Sequence, residues 1–342
     1  MPSPPDLSTP FTLKLTHPER VIDAASGATK GDVAAYYDRV ADRLLPELRG
    51  RPVSLLRAPD GVGGEAFFQK HPGKAPFAGA RVLDAALWPD HEPLLEIRTK
   101  VALLGAVQMN TLEFHTWNAR LPRLLKPDRV VFDLDPGDGV AWRDVALGAQ
   151  RVREALLDVG LESGLKTSGG RGLHLVVPIT ARWPVDEVRR FAQALVQQLA
   201  DADPDRFVAR SGAEHRVGRI FIDWLRNGEG ATTVAAWSLR ARPGLGVSVP
   251  LAWEELGALT GAAQWTLANA AERLQADPWA GLKPQSLAAA LRSLGQPCGS
   301  DRKISTRRFA ARPCSVSLLA TGSCEPRPAT LTRDDDTPRE LR

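Results

Sequence analysis

Residues 130–136 read VVFDLDP, a stretch that is typical of a β-strand running into a turn. Side chains alternate between the two faces of a strand, so Asp133 and Asp135 share one face while three apolar residues occupy the other. Two neighbouring carboxylates repel each other, and such a pair is costly unless a cation lies between them. The stretch therefore predicts a strand with a candidate metal site on one face.

A glycine-rich basic turn follows at residues 168–174, which read SGGRGLH. A turn of this kind brings backbone N–H groups, together with Ser168, Arg171 and His174, onto a polyphosphate. The alternative is an ordinary hairpin loop with a histidine that faces the core. Beside the acid pair, the phosphate-binding interpretation indicates phosphoryl or nucleotidyl transfer.

A third carboxylate, Asp223, lies in the apolar stretch IFIDW at residues 220–224. An unpaired carboxylate is expensive in a buried strand, so this residue is a further candidate ligand. Three strand carboxylates suffice to hold two divalent ions, which would activate a 3′-hydroxyl and neutralise a pyrophosphate leaving group. For the acid pair alone, the other interpretation is a strand end that meets solvent.

Composition places the chain among ordinary globular proteins, with 342 residues, 43% apolar residues and 25% charged residues. No apolar run of about 18 residues occurs, so no membrane span is expected. The first ten residues lack the apolar segment of a secretion signal. All three cysteines follow residue 297, which excludes a thiolate zinc site in the body of the chain and predicts a cytoplasmic location.

Charge is a weak guide to the partners of this protein. The net charge is +4, and residues 301–342 contribute most of it with nine Lys or Arg against six Asp or Glu. Any contact with nucleic acid must therefore come from local basic clusters rather than from the overall charge.

Hydrophobic periodicity predicts a mixed α+β fold. A capped helix opens at Thr29 and ends near Gly50, and a strand follows at 52–57. From residue 129 the order becomes β-α-β-β-α-β-β, which matches the ferredoxin-like split β-α-β sheet with one added strand. The predicted elements are a strand at 129–135, a helix that ends at Gly160, strands at 161–167 and 172–179, a helix from Pro184, and strands at 219–225 and 232–239.

Two further arginines and a histidine are candidate phosphate ligands. Arg226 and Arg240 are separated by a tight turn, so both could converge on one site, although a lone arginine is usually a surface group. His115 shares a strand face with Glu113 by alternation, and it could equally be a structural histidine.

Two aromatic residues and two cations near the N-terminus are candidate DNA contacts. Phe67 and Phe68 cannot both face the core from one strand, and an exposed aromatic residue beside cations suits base stacking. Arg20 and Lys30 lie near the N-terminus of the first helix, a position that attracts a terminal phosphate. Core packing for the phenylalanines and ordinary surface roles for the cations remain alternatives.

Together these residues resemble the polymerase domain of bacterial ATP-dependent DNA ligase D, a branch of the archaeo-eukaryotic primase superfamily. The resemblance runs from about Leu15 to Leu256. Its motifs are FFQKH at 67–71, FDLDP at 132–136, TSGGRGLH at 167–174, DWLRN at 223–227 and SLRAR at 238–242.

The resemblance implies template-directed addition of nucleotides, often ribonucleotides, at DNA ends and gaps during bacterial non-homologous end joining. It implies two divalent ions, Mn²⁺ or Mg²⁺, on Asp133, Asp135 and Asp223. It also implies DNA contacts by Phe67 and Phe68 and a grip on a downstream 5′-phosphate by Arg20 and Lys30. The nucleotide ligands that it implies are His115, Ser168, Gly170, Arg171, His174, Arg226 and Arg240.

The resemblance also implies a division of the chain into segments. A primase-polymerase domain is expected at 11–282, made of an N-terminal α/β subdomain at about 11–125, a catalytic subdomain at about 126–258 and C-terminal helices at about 259–282. A flexible N-terminus at 1–10 and a disordered tail at 283–342 are expected to flank it.

No Lys-x-Asp-Gly adenylation motif occurs in the sequence, so we expect a stand-alone polymerase that works with a separate ligase and a Ku-type end-binding protein. We expect the protein to be cytoplasmic and associated with the nucleoid. Two alternatives remain open at this point, a primase that starts chains de novo and a non-catalytic module that bridges DNA ends.

Overall fold

In a computed structural model of the chain, the structure describes residues 14–73 and 76–295. Contacts group Met1–Pro297 into one unit, and the second unit, Cys298–Arg342, lies outside the described residues. The predicted flexible N-terminus at 1–10 also lies outside them. Within the described ranges, no helix combines the length and the apolar character that a membrane span requires.

The mixed α and β content that the sequence predicts is confirmed. Short 3₁₀ helices occupy Ala85–Leu87, Ala213–His215, Trp224–Asn227, Trp253–Ala258 and Ala270–Gln275. The α-helices are α1 Lys30–Leu48, α2 Lys100–Gln108, α3 Trp142–Asp158, α4 Val185–Ala202 and α5 Ala288–Gly295. The strands are β1 Val21–Asp23, β2 Ala28–Thr29, β3 Val53–Arg57, β4 Phe67–Gln69, β5 Arg81–Val82, β6 Leu95–Glu96, β7 Thr111–Trp117, β8 Arg129–Pro136, β9 Gly164–Thr167, β10 Leu173–Pro178, β11 Phe207–Val208, β12 Ile220–Asp223, β13 Thr232–Val234 and β14 Pro250–Leu251.

A six-stranded sheet in the order β11-β12-β8-β10-β9-β14 forms the larger layer. One face of β8 contributes Val130, Phe132 and Leu134 to a core that it shares with the apolar stripes of α3 and α4. All three side chains are fully buried. Because the helices cover this face, the alternating carboxylates of β8 lie on the opposite face of the sheet.

A four-stranded sheet in the order β13-β7-β3-β4 forms the second layer with α1 and α2. The first helix begins as the sequence predicts, because Thr29 accepts a hydrogen bond from the Asp32 amide and Asp32 accepts one from the Thr29 amide. Phe114 of β7 is completely buried in the core of this layer, whereas its neighbours Glu113 and His115 point to the other face.

The last predicted strand, 232–239, does not extend the six-stranded sheet. Only Thr232–Val234 is a strand, and it pairs with β7 of the other sheet. The cause is the end of β12, where Asp223 caps the 3₁₀ turn Trp224–Asn227 by accepting from the Leu225 amide. This turn carries the chain away from β8 and across to the second sheet.

The C-terminal boundary of the domain also differs from the prediction. The predicted helices at 259–282 amount to one 3₁₀ helix, Ala270–Gln275. Past residue 282 the chain forms α5, and Leu287 and Ala290 are fully buried in the core beside α4. This corrects the start of the predicted tail at residue 283, and its part from 296 to 342 lies outside the described residues.

Asn227 replaces the missing continuation of β12. Its Oδ1 accepts from the Val131 amide at 2.8 Å, and its Nδ2 donates to the Val131 carbonyl at 2.8 Å. The side-chain amide therefore pairs with β8 as the backbone of a neighbouring strand would. It satisfies the N–H and C=O groups of Val131, two residues before Asp133. The same Oδ1 accepts from Asn118, at the end of β7, which links the two sheets.

We predict that Asn227→Ala destabilises the protein by roughly 3 kcal/mol, because it leaves a buried N–H and a buried C=O of Val131 without partners. Urea unfolding would measure the change in the free energy of unfolding. Gln197→Ala, which removes an exposed hydrogen bond within α4, is the control and should cost less than about 0.5 kcal/mol. Equal effects of the two substitutions would contradict the role of Asn227.

Candidate active site

Antiparallel pairing brings two of the three predicted carboxylates directly together. In the register of β12 against β8, Asp223 lies opposite Asp133, and Asp135 lies one pleat further along β8. On the other side of β8, His174 of β10 also lies opposite Asp133. The side chains of Asp133 and Asp223 are mostly buried, whereas that of Asp135 is half-exposed.

Cationic and imidazole groups balance this cluster of acids. Arg226 Nε lies 3.0 Å from Asp223 Oδ2 and 3.4 Å from Asp133 Oδ2. Arg216, which the sequence did not single out, forms an ion pair with Asp135. His174 Nε2 donates to Asp133 Oδ1 at 3.1 Å, while its Nδ1 is buried and has no hydrogen-bond partner in the described structure.

The pKa values of the two facing carboxylates shift in opposite directions. Burial raises the pKa of Asp223, and the charges of Asp133 and Asp135 add to this rise against the opposing effect of Arg226. Burial also acts to raise the pKa of Asp133, but the neighbouring His174, Arg226 and Lys166 outweigh it and lower the pKa. Asp133 therefore ionises more readily than a free aspartate, whereas Asp223 ionises less readily, and a cation bound beside Asp223 would favour its charged form.

The donor set suits a hard divalent ion, since carboxylate oxygens are the ligands that Mg²⁺ and Mn²⁺ prefer. With the side chains arranged as in this structure, no group of three or more His, Cys, Asp or Glu residues among residues 14–73 and 76–295 could hold a metal ion. Arg216 and Arg226 instead form ion pairs with these carboxylates, and their guanidinium groups lie beside the acids where a metal ion would bind. Arg226 is 44% exposed, so it is free to swing away without disturbing the core.

The glycine-rich turn joins β9 to β10 beside the acids. Gly169 has a left-handed φ of 69°, and a Cβ at Gly172 would lie 1.9 Å from the Leu134 carbonyl oxygen, so both positions require glycine. Ser168 Oγ accepts from the amides of Gly170 and Gly172, each at 3.1 Å. These two N–H groups therefore hold the turn together, and the hydroxyl proton of Ser168 is not used in these bonds.

Arg171 does not join the site in this structure. Its guanidinium donates to Asp138 Oδ1 at 2.9 Å and to the Gly137 carbonyl at 3.2 Å, on the outer side of the turn. Arg240 reaches the turn instead, because its Nη1 donates to the Ser168 carbonyl at 2.8 Å.

Glu113 of β7 binds two further predicted nucleotide ligands, His115 and Arg240. Its Oε2 accepts from His115 Nε2 at 2.7 Å and from Arg240 Nε at 3.0 Å. Burial acts to raise the pKa of Glu113, but the hydrogen bond from His115 and the charge of Arg240 outweigh it and hold the pKa at about 2. Arg226 and Arg240 thus flank one site but pair with different carboxylates.

Lys166 is a functional candidate that the sequence analysis missed. It lies on β9 opposite His174, fully buried, and its Nζ donates to the Val234 carbonyl at 3.0 Å and to Ser248 Oγ at 2.7 Å. Burial lowers its pKa to about 7, against the opposing effect of the Asp133 charge. The signal available in the sequence was a lysine within the otherwise apolar or small residues of GLKT.

Both phenylalanines of the predicted DNA contact are exposed, Phe67 by 44% and Phe68 by 52%. The sequence analysis expected one of the two to be covered. Phe68 packs edge-on against His115 with ring centroids 5.0 Å apart, and the Arg57 guanidinium lies over the Phe67 ring. The aromatic pair therefore adjoins His115, one of the predicted nucleotide ligands.

Arg20 and Lys30 form a separate group at the N-terminus of α1. Arg20 donates to the Pro59 carbonyl and to Asn110. Lys30 Nζ is buried and donates to the Thr16 carbonyl and to both oxygens of Gln108. A phosphate would have to replace at least one of these partners.

A family model described as the LigD primase-polymerase domain matches residues 29–279. The chain belongs to this family. The assignment confirms the resemblance that the motifs carry and the predicted enzyme class, a nucleotidyltransferase of the primase-polymerase type that depends on metal.

Similar proteins agree with this assignment. The chain is 50% identical over 291 residues to the multifunctional non-homologous end joining protein LigD of Pseudomonas aeruginosa, covering 83% of the chain and 35% of that protein. It is 28% identical over 265 residues to the bifunctional LigD of Bacillus subtilis, covering 77% of the chain and 42% of that protein. The chain thus spans well under half the length of these relatives.

A solved structure, the polymerase domain of Mycobacterium tuberculosis ligase D in complex with DNA, matches with a TM-score of 0.69 at 30% identity. The match covers 78% of the chain and 95% of that structure. The confirmed fold is therefore that of a polymerase domain, and the neighbour binds DNA.

We predict that the stability of the protein rises with pH above about 7 through Lys166. The folded state holds the pKa of Lys166 at about 7 against 10.5 for the free side chain, so between these values the unfolded chain binds more protons. Relative to Lys166→Met, the free energy of unfolding should rise by up to about 1.4 kcal/mol per pH unit in this window. Urea unfolding at several pH values measures the difference.

Lys100→Met serves as the control for the pH series, because Lys100 is half-exposed and pairs only with Asp38 on the surface. It is carried through the same pH series, so that the effect of removing an exposed lysine on the free energy of unfolding can be subtracted from that of Lys166→Met. A Lys166→Met curve that runs parallel to the wild-type curve would show that Lys166 is charged throughout and would contradict the prediction.

Proposed function

We propose that the protein adds nucleotides to DNA 3′ ends at gaps and breaks, directed by a template, as part of bacterial non-homologous end joining. The observation that carries the proposal is the convergence of three carboxylates on adjacent strands, a glycine turn and the His115–Glu113–Arg240 group at one place. Family membership and the neighbour that binds DNA support it.

Asp133, Asp135 and Asp223 would hold two divalent ions, Mn²⁺ or Mg²⁺. Such ions, when bound, favour ionisation of the primer 3′-hydroxyl and neutralise charge on the departing pyrophosphate. His174 keeps Asp133 ionised and fixed in orientation through its Nε2–H. Lys166 lies behind the cluster, and in its protonated form it limits the repulsion among the acids.

The arginines at the site would exchange anionic partners when substrates bind. Arg226 now neutralises Asp133 and Asp223, and it would become free for the triphosphate once cations neutralise these carboxylates. The nucleotide ligands would be completed by Arg240, His115, His174 and Ser168, and by the amide of Gly170 once Ser168 Oγ releases it. Arg171 would join them only after leaving Asp138.

The DNA would lie along the exposed face beside the site. Phe67 and Phe68 offer exposed rings for base stacking next to His115. Arg20 and Lys30 at the N-terminus of α1 would bind a 5′-phosphate across a gap, where the helix dipole adds to their charge. A DNA ligase activity and a Ku-type end-binding protein would act together with this polymerase domain, in the cytoplasm and close to the nucleoid.

We predict that Asp135→Asn lowers templated addition by about 100-fold or more while DNA binding persists, because it removes a proposed metal ligand but no core contact. The assay extends a primer across a gap in a 5′-phosphorylated duplex with Mn²⁺ and either ribonucleotides or deoxyribonucleotides. Asp201→Asn on the exposed face of α4 is the matched control and should keep full activity.

The same assay separates the alternatives. Addition by the wild-type protein without any primer would favour a de novo primase. Tight binding and bridging of DNA ends with no addition under any condition would overturn the polymerase proposal and favour a non-catalytic bridging module. The ratio of ribonucleotide to deoxyribonucleotide addition gives the sugar preference.

We also predict that Asp223→Asn raises the melting temperature in metal-free buffer by about 2 °C, since the buried, crowded carboxylate favours its neutral form. Mn²⁺ should stabilise the wild-type protein and should stabilise this variant less. Differential scanning calorimetry with and without Mn²⁺ checks both effects. Equal stabilisation of the two proteins by Mn²⁺ would place the ion elsewhere.

A further inference from the structure

Glu113 lies at the junction of the two sheets, and its side chain is only 4% exposed. It accepts three hydrogen bonds, from His115 Nε2 at 2.7 Å, from Arg240 Nε at 3.0 Å and from the Ala241 amide at 2.8 Å. Two of the three donors are side chains that the proposed function assigns to the nucleotide. All three donors lie outside the carboxylate cluster.

The three donors explain why this position holds a carboxylate. A carboxylate only accepts hydrogen bonds, and it satisfies all three N–H groups with two oxygens. A glutamine has one accepting oxygen and one donating NH₂ group, so in either orientation it sets a donor against a donor. The arrangement therefore depends on the acid rather than on the size of the side chain.

Both nucleotide ligands are constrained by these bonds. Because His115 donates from Nε2 to Glu113, only its Nδ1 remains for a substrate. Arg240 is fixed at two points, by Glu113 at Nε and by the Ser168 carbonyl at Nη1. The guanidinium thus bridges β7 of one sheet and the glycine turn of the other, and it is 18% exposed.

We propose that Glu113 is a positioning residue for nucleotide binding, which sets the orientation of His115 and holds Arg240 against the glycine turn. The inference rests on the proposed function of this site as a nucleotidyltransferase. Removal of the acid weakens nucleotide binding because the two ligands lose their fixed geometry, while the carboxylates of the metal site keep theirs.

Local structure does not depend on Glu113 alone, so its variants are expected to fold. Ser238 Oγ accepts from the Phe114 amide at 2.9 Å, and the Tyr37 hydroxyl accepts from the Leu239 amide at 2.9 Å. The same Tyr37 hydroxyl donates to the Leu112 carbonyl of β7, so these bonds hold the segment that carries Arg240 beside β7 without any contribution from Glu113.

The first test compares Glu113→Gln with Glu255→Gln in the gap-filling assay. Glu255 also binds an arginine, Arg273, and a backbone amide, that of Ala252, but away from the site. We expect Glu113→Gln to raise the KM for the nucleotide about tenfold with kcat within about twofold, and Glu255→Gln to leave both unchanged. An unchanged KM in Glu113→Gln would overturn the inference.

A double variant that combines Glu113→Gln with His115→Ala tests whether Glu113 acts through His115. If it does, Glu113→Gln raises the KM less in the His115→Ala background than in the wild-type background. Full additivity of the two effects would assign Glu113 a role independent of His115 and would contradict this part of the inference.

The second test needs no activity. Long-range ¹H–¹⁵N spectra of the wild-type imidazoles, assigned by the signals lost in His115→Gln, should show a proton on Nε2 of His115. A neutral imidazole protonated only at Nδ1 would overturn the proposed geometry whatever the variants do.

Calorimetric titration with ATP and Mn²⁺ separates failure of the inference from failure of the proposed function. About tenfold weaker binding to Glu113→Gln than to the wild-type protein and to Glu255→Gln supports the inference even if no DNA is extended. Equal affinities for the three proteins, or no binding to any of them, overturn it even if DNA is extended.

Discussion

The register of β12 against β8 forces like charges together and is the constraint on which the rest of the site depends. Asp133 and Asp223 lie opposite each other because the other face of β8 is committed to the core beneath α3 and α4. The apolar packing therefore maintains an arrangement that the carboxylates alone would oppose. Arg216, Arg226, His174 and Lys166 all bear on the charge of this cluster.

The site belongs to neither sheet alone. Lys166 of β9 donates to the carbonyl of Val234 in β13, and Arg240 binds both Glu113 of β7 and the turn after β9. Asn227 adds a third link between the sheets, through Val131 and Asn118. Since each link is a hydrogen bond between buried or partly buried groups, the two layers are expected to hold the carboxylates and the predicted nucleotide ligands at a fixed separation.

Local pattern was enough to predict the features that depend on strand alternation and helix capping. The capped start of α1, the β8 strand with its acids on one face, and the hairpin of β9 and β10 follow from neighbouring residues. The prediction of a strand at 232–239 was wrong in the length of the strand and in the sheet to which it belongs. The turn after Asp223 is fixed by the Asp223 cap and by Asn227, which hydrophobic periodicity does not reveal. Ser168 shows a similar limit, since its oxygen serves the turn itself.

The sequence by itself determined the chemistry of this protein, because residue types and their alternation dictate which carboxylates, glycines and cations the chain presents on one face. Only the tertiary structure decided which of them meet. It placed Arg171 against Asp138, brought Arg240 to Ser168 and buried Lys166 behind the acids. These contacts join residues that are distant in the chain, and their geometry depends on how two sheets pack, which no local pattern records.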